Sequence, residues 1–117
     1  MTRLRIVAAA ALLMAAPSAL LAHHGWGSYD ASKTVTVEGP IEVSQFENPH
    51  ALVKVTADGK TWSIVLAPTS RMQTRGAPAE FIAVGKRVTA VGYASTATPG
   101  EMRAERITVD GKTVEMR

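Results

Sequence analysis

Two Asp-Gly pairs, Asp58-Gly59 and Asp110-Gly111, each stand between stretches in which apolar and polar residues alternate. An Asp-Gly pair accepts the positive φ angles of a two-residue hairpin turn. Period-two alternation is the pattern of a strand buried on one face. A chain built this way folds largely as β-hairpins. The first alternating run places Val35, Val37, Ile41 and Val43 on one face, with Thr34, Thr36, Glu38 and Glu42 on the other. Gly39-Pro40 interrupts it, and because proline cannot donate to a ladder, the run is expected to be one long strand with a bulge or sharp bend there.

Residues 46–50 form a loop, and residues 51–57 and 60–66 are the second and third strands, with Trp62, Ile64 and Leu66 sharing one side. Alternation stops at residues 68–75, and Gly76 follows as a helix terminator, so a short helix is expected there. A further helical turn over 78–84 offers Phe81 and Ile82 to the core. Residues 87–93, 102–109 and 113–116 complete the strands. The class is all-β with one short helical connection. Three strands, a helix and then two or three strands is the order of a small OB-type β-barrel. A six-stranded barrel or open roll of another topology is the rival.

Before this domain comes a different kind of sequence. Arg3 and Arg5 precede an uncharged run over residues 6–16, and Pro17-Ser18 then breaks it ahead of Ala19-Leu20-Leu21-Ala22. The run suits a secretory signal peptide and is shorter than the roughly 20 apolar residues that span a bilayer. Cleavage after Ala22 makes His23 the first residue, although Leu20 is larger than is usual three residues before a cut. Cleavage after Leu21 would instead leave Ala22-His23-His24, and a retained anchor is the other alternative. The organisation expected is a signal peptide over 1–22, an arm over 23–32 and a β domain over 33–117, periplasmic or secreted, with no stable membrane insertion after processing.

Beyond residue 22 stand eleven basic and ten acidic residues, a net charge of +1. That balance gives no reason to expect nucleic acid as a partner. The chain has no cysteine, which excludes thiol chemistry, iron–sulfur clusters and cysteine-based zinc sites. No serine elbow, converging carboxylate pair or phosphate-cradling glycine loop is recognisable, so an enzyme is the weaker expectation.

The three histidines, His23, His24 and His50, remain. An N-terminal histidine offers its α-amino and ring nitrogens to one ion, and a second imidazole completes a three-nitrogen site suited to Cu(II). His50, in the loop after the first strand, supplies that imidazole if the arm folds back. The bland alternative is a His-His pair beside a cleavage site and a turn histidine at position 50. Trp26 and Tyr29 follow in the arm, where Trp26 is expected to plug the barrel mouth, with stacking over a metal or ligand as the functional alternative. Trp62 is expected in the core. Arg71 and Arg75, four apart on the short helix, suit an anion, but surface ion pairs with Glu101 and Glu105 are the expectation. Residues 102–106 read as ordinary strand patterning with the charges outside.

His23-His24-Gly25-Trp26, Tyr29-Asp30, Glu47-Asn48-Pro49-His50, the run over 66–72 and Gly92-Tyr93 occur in this order. Together they resemble a family of small exported bacterial proteins catalogued as a domain of unknown function. The resemblance implies export and a small β domain, and its motifs contain all three histidines. Two functions follow. One is a periplasmic copper-binding protein acting as carrier, buffer or accessory to a cuproenzyme, with a copper oxidase or monooxygenase as a remoter variant. The other is a metal-free OB-type module that binds a peptide, small molecule or partner protein.

Overall fold

The computed structural model describes residues 25–117. Residues 1–22, expected to be a signal peptide, and both His23 and His24 lie outside the described residues. Six strands carry the fold: β1 (Tyr29–Gln45), β2 (Leu52–Ala57), β3 (Lys60–Val65), β4 (Arg87–Ser95), β5 (Glu101–Val109) and β6 (Lys112–Glu115). One short helix, α1 (Thr69–Thr74), and a 3-10 turn over Ala79–Ile82 connect β3 to β4. A second 3-10 turn, Trp26–Ser28, opens the described chain, so the helical connection is not the only helical segment.

Both Asp-Gly pairs are hairpin turns with positive φ at each residue. α1 ends where expected: Gly76 takes φ +78°, and the Ala77 N–H donates to Met72 O at 2.7 Å. That is the glycine-terminated helix end read from the spacing.

The sheet order is β3-β2-β1-β4-β5-β6, and β3 also pairs in parallel with β5 through Ser63, Ile64 and Val65. The pairings therefore run in a ring, β1–β2–β3–β5–β4–β1, with β6 outside it. β1 makes this possible by serving two neighbours: residues 34–40 pair with β4 and residues 41–45 with β2. Gly39 sits at the changeover, where an added Cβ would lie 2.9 Å from Val55 Cγ1. The register then slips at Glu42. This slip corrects the expected alternation, because it turns Val43 outward to 39% exposure while Val37 and Ile41 stay buried.

Inside lie Val37, Ile41, Val53, Val55, Ile64, Leu66, Met102 and Ile107, closed off by Met72 of α1 and by Ile82. Trp62 is only partly buried against this cluster, with Lys60 Nζ 4.1 Å from its ring centre. Among the described residues no helix is long and apolar enough to cross a membrane.

Candidate metal and ligand site

His50 is held by the backbone on both sides. The Asn48–Pro49 peptide before it is cis, and the Asn48 side chain accepts a hydrogen bond from Thr69 Oγ1 at 3.0 Å. After it, Ala51 exchanges hydrogen bonds with the end of β3: its N–H donates to Ala67 O at 3.0 Å, and its carbonyl accepts from the Leu66 N–H at 2.8 Å. The half-buried imidazole thus stands beside the β3–β5 seam, where its Nε2 lies 3.3 Å from Arg103 Nη2.

Arg103 is the residue that sequence reasoning missed. Met102 and Ala104 on either side are fully buried in the core, so Arg103 projects from the opposite face of β5, where solvent was expected. It is nevertheless only 8% exposed. The arm covers it. The Trp26 ring lies over its guanidinium, with Arg103 Cζ 4.3 Å from the ring centre, and Arg117 Cζ approaches the same ring at 4.3 Å. Trp26 also meets Tyr29 and Tyr93 edge-on, at 6.3 and 6.1 Å between ring centres. Tyr93 and Arg103 are direct partners across β4 and β5. Trp26 therefore covers the outer face of these strands, which replaces the expectation of a plug in a barrel mouth.

This approach requires Gly92. A Cβ there would fall 1.9 Å from the Arg103 carbonyl oxygen, at the bulge that lets β4 and β5 cross closely. Tyr29, buried at the start of β1, donates its hydroxyl to Glu101 Oε2 at 3.1 Å. Burial first, then the Glu101 carboxylate, pushes the Tyr29 hydroxyl up to about 12. Burial is also the main cause lowering the Arg103 guanidinium, and the charges of Arg71 and Arg117 add to it.

Arg71 and Arg75 do not pair with Glu101 and Glu105. Their guanidiniums turn to the last strand instead: Arg71 Nη1 donates to Met116 O at 3.1 Å, and Arg75 Nη1 to Glu115 O at 2.7 Å and Arg117 O at 2.9 Å. Glu101 goes to Tyr29, and Glu105 lies 3.6 Å from Arg117 Nε. Arg106 follows expectation, pairing on the surface with Glu115 at 3.0 Å.

Of the three histidines, only His50 is among the described residues, and within those residues no group of three or more His, Asp or Glu side chains converges on one point. What comes together is His50, Arg103 and Trp26, and only the surroundings of Trp26 and Arg103 were illegible beforehand. A tryptophan in a glycine-bearing arm was the one available signal, since a ring that size needs a surface to cover. No curated protein matches the chain. A family model matches residues 10–102, most of the chain, and the protein belongs to that family, described as a family of unknown function (DUF6152).

Proposed function

We propose that residues 1–22 direct export to the periplasm and that the processed protein, an OB-type barrel beginning at His23, binds Cu(II). The α-amino and imidazole nitrogens of His23 and the imidazole of His50 are the ligands, with His24 as an auxiliary ligand or supporting group. The protein acts as a carrier, buffer or accessory for copper. The barrel reading is supported by the ring of strand pairings and by the helical connection between β3 and β4.

One observation supports the copper reading: Trp26 and His50 meet the same side chain. Trp26 rests on the Arg103 guanidinium, and Arg103 contacts His50. His23 is three residues before Trp26, a reach of about 10 Å in extended chain. Amine and imidazole nitrogens in a tetragonal arrangement favour Cu(II) over Zn(II) by geometry and by intrinsic affinity.

The test is a Cu(II) titration of exported, processed protein, with its N-terminus fixed by intact mass. His50→Ala is expected to lower the affinity at least tenfold without unfolding the domain, and an extra residue before His23 should do the same. Unchanged affinity in both variants defeats the reading.

A specific observation favours the metal-free binding module as the second reading. The His50 ring faces a guanidinium, and Arg71 and Arg117 act electrostatically on that same guanidinium, a setting suited to an anionic group on a peptide or small molecule. Saturable binding of a carboxylate-bearing peptide by copper-free protein, unaffected by His23→Ala, would establish it.

A further inference from the structure

We propose that the free edge of β1 over residues 34–38 is a docking site for an extended peptide segment that carries a lysine or arginine on its outward side. The inference involves neither His50 nor the arm and does not depend on copper. β1 is flanked unequally. Residues 34–40 pair with β4, whereas β2 reaches the other side of β1 only over 41–45. Ile41 stands opposite Val55, so Val37 is level with the Asp58-Gly59 turn, where β2 leaves. Among the described residues no strand lies along the second side of residues 34–38. Backbone N–H and C=O groups of alternate residues face that side, and an added strand can bond to them. One end of the edge is closed by the register slip between Tyr29 and Thr34, and the other by Pro40, which has no N–H to donate. A slip and a proline are devices that keep long edges from templating aggregation, and the interval between them carries neither. It admits a short segment.

The side chains beside this edge define what fits. Thr34, Val35, Thr36 and Val37 are β-branched and suit pleated pairing. Val35 is half-buried against the core, and so is Ala57 at the end of β2, so an apolar side chain on the inner side of an added strand would extend that cover. On the outer side lies a cleft of about 470 Å³ lined by Thr36, Glu38, Thr56, Ala57, Asp58 and Arg87. Arg87 Nε meets Glu38 Oε1 at 3.1 Å, while Asp58 makes no ion pair among the described residues. Two carboxylates against one guanidinium leave the cleft net negative. A residue opposite Thr36 has Glu38 diagonal to it, within reach of a long side chain, and the Asp58 turn beyond. A basic side chain is attracted there and an acidic one repelled.

The probe is a blocked hexapeptide of alternating valine and threonine in which one central threonine is replaced by lysine, titrated into the full exported protein and followed by proton–nitrogen NMR. We expect saturable binding, with slowed amide exchange at alternate residues of 34–38 and none in β6, which is also an edge strand. Glutamate in place of the lysine of the probe should weaken binding about fivefold, the scale of an exposed charge pair. Asp58→Asn should narrow that difference, since asparagine accepts the positive φ of the turn without the charge. N-methylation of one alternate set of peptide residues should abolish binding, and of the other set should leave it intact, because only one side of an added strand bonds to β1. Binding that survives both methylations, or is lost with both, overturns strand addition. Equal affinity for the lysine and glutamate probes overturns the basic preference, and no binding at millimolar peptide overturns the site. If the protein alone self-associates in sedimentation with residues 34–38 protected, a second copy is the occupant and the peptide proposal falls.

Discussion

Arg71 on α1 and Arg75 at its end stand over the edge of β6, while Arg103 lies beneath the arm on β5, and the two settings use the same side chain differently. At the β6 edge the guanidiniums reach across to carbonyls of residues 115–117, and Lys112 Nζ bonds Gly76 O from the other direction at 2.8 Å. Of these contacts, the one from Arg75 to Glu115 O covers an acceptor of β6, an edge strand. Arg71 and Arg75 themselves remain exposed. Under the arm, the guanidinium is buried, faces an aromatic ring and touches an imidazole. Hydrogen bonds to backbone carbonyls account for the first pair as structure.

The largest effect should come from pushing apart the strands beneath the arm. Gly92→Ala would set a Cβ against the Arg103 carbonyl, and the β5 backbone at Arg103 and Ala104 leaves little room to yield. We expect a loss of about 3 kcal/mol or more in unfolding free energy by denaturant titration, with Trp26 becoming more exposed. A loss below about 1 kcal/mol would mean that the close crossing is not needed to hold the covered face.

The next effect belongs to the same region and is read by pH. Tyr29 keeps its proton to about pH 12 in the fold, against about 10 in the unfolded chain. Between these values the folded state binds the proton and the unfolded state does not. Stability is therefore complete below pH 10 and falls as pH rises towards 12, by about 2 kcal/mol from this group. Comparing wild type with Tyr29→Phe isolates the contribution, because the variant should lack this part of the decline. Parallel curves for the two proteins would show that Tyr29 is not buried in its neutral form.

The smallest effect should be at the β6 edge. Arg75→Ala removes two exposed hydrogen bonds to carbonyls, and the expected loss is about 1 kcal/mol, with faster amide exchange in β6 and no change at Trp26. A disturbance of the Trp26 signal would join the two regions that the comparison separates.

Much of the fold was legible because its rules are local. Asp58-Gly59 and Asp110-Gly111 specify turns through the φ angles they accept, and Gly76 ends α1 by the same property. The exit of Val43 from the core was not legible, since a one-residue slip at Glu42 depends on how β1 is shared between β2 and β4. The candidate site divides in the same way. His50 stood out by type and by its place in a loop. Arg103 was hidden by a correct reading of alternation: it does point away from the core, but the arm lies over that face.

The sequence by itself determined the strands, their hairpin turns, the helical connection and the shortlist of histidines, because alternation, turn chemistry and ligand type are properties of residues and near neighbours. Only the tertiary structure decided that β3 meets β5, that α1 covers the edge of β6 and that Trp26, Arg103 and His50 meet. These contacts join residues 38 to 77 positions apart, among them His50 and Arg103, which are 53 apart. No local pattern encodes them, since they arise when the whole chain buries its apolar face and brings distant polar groups to one surface.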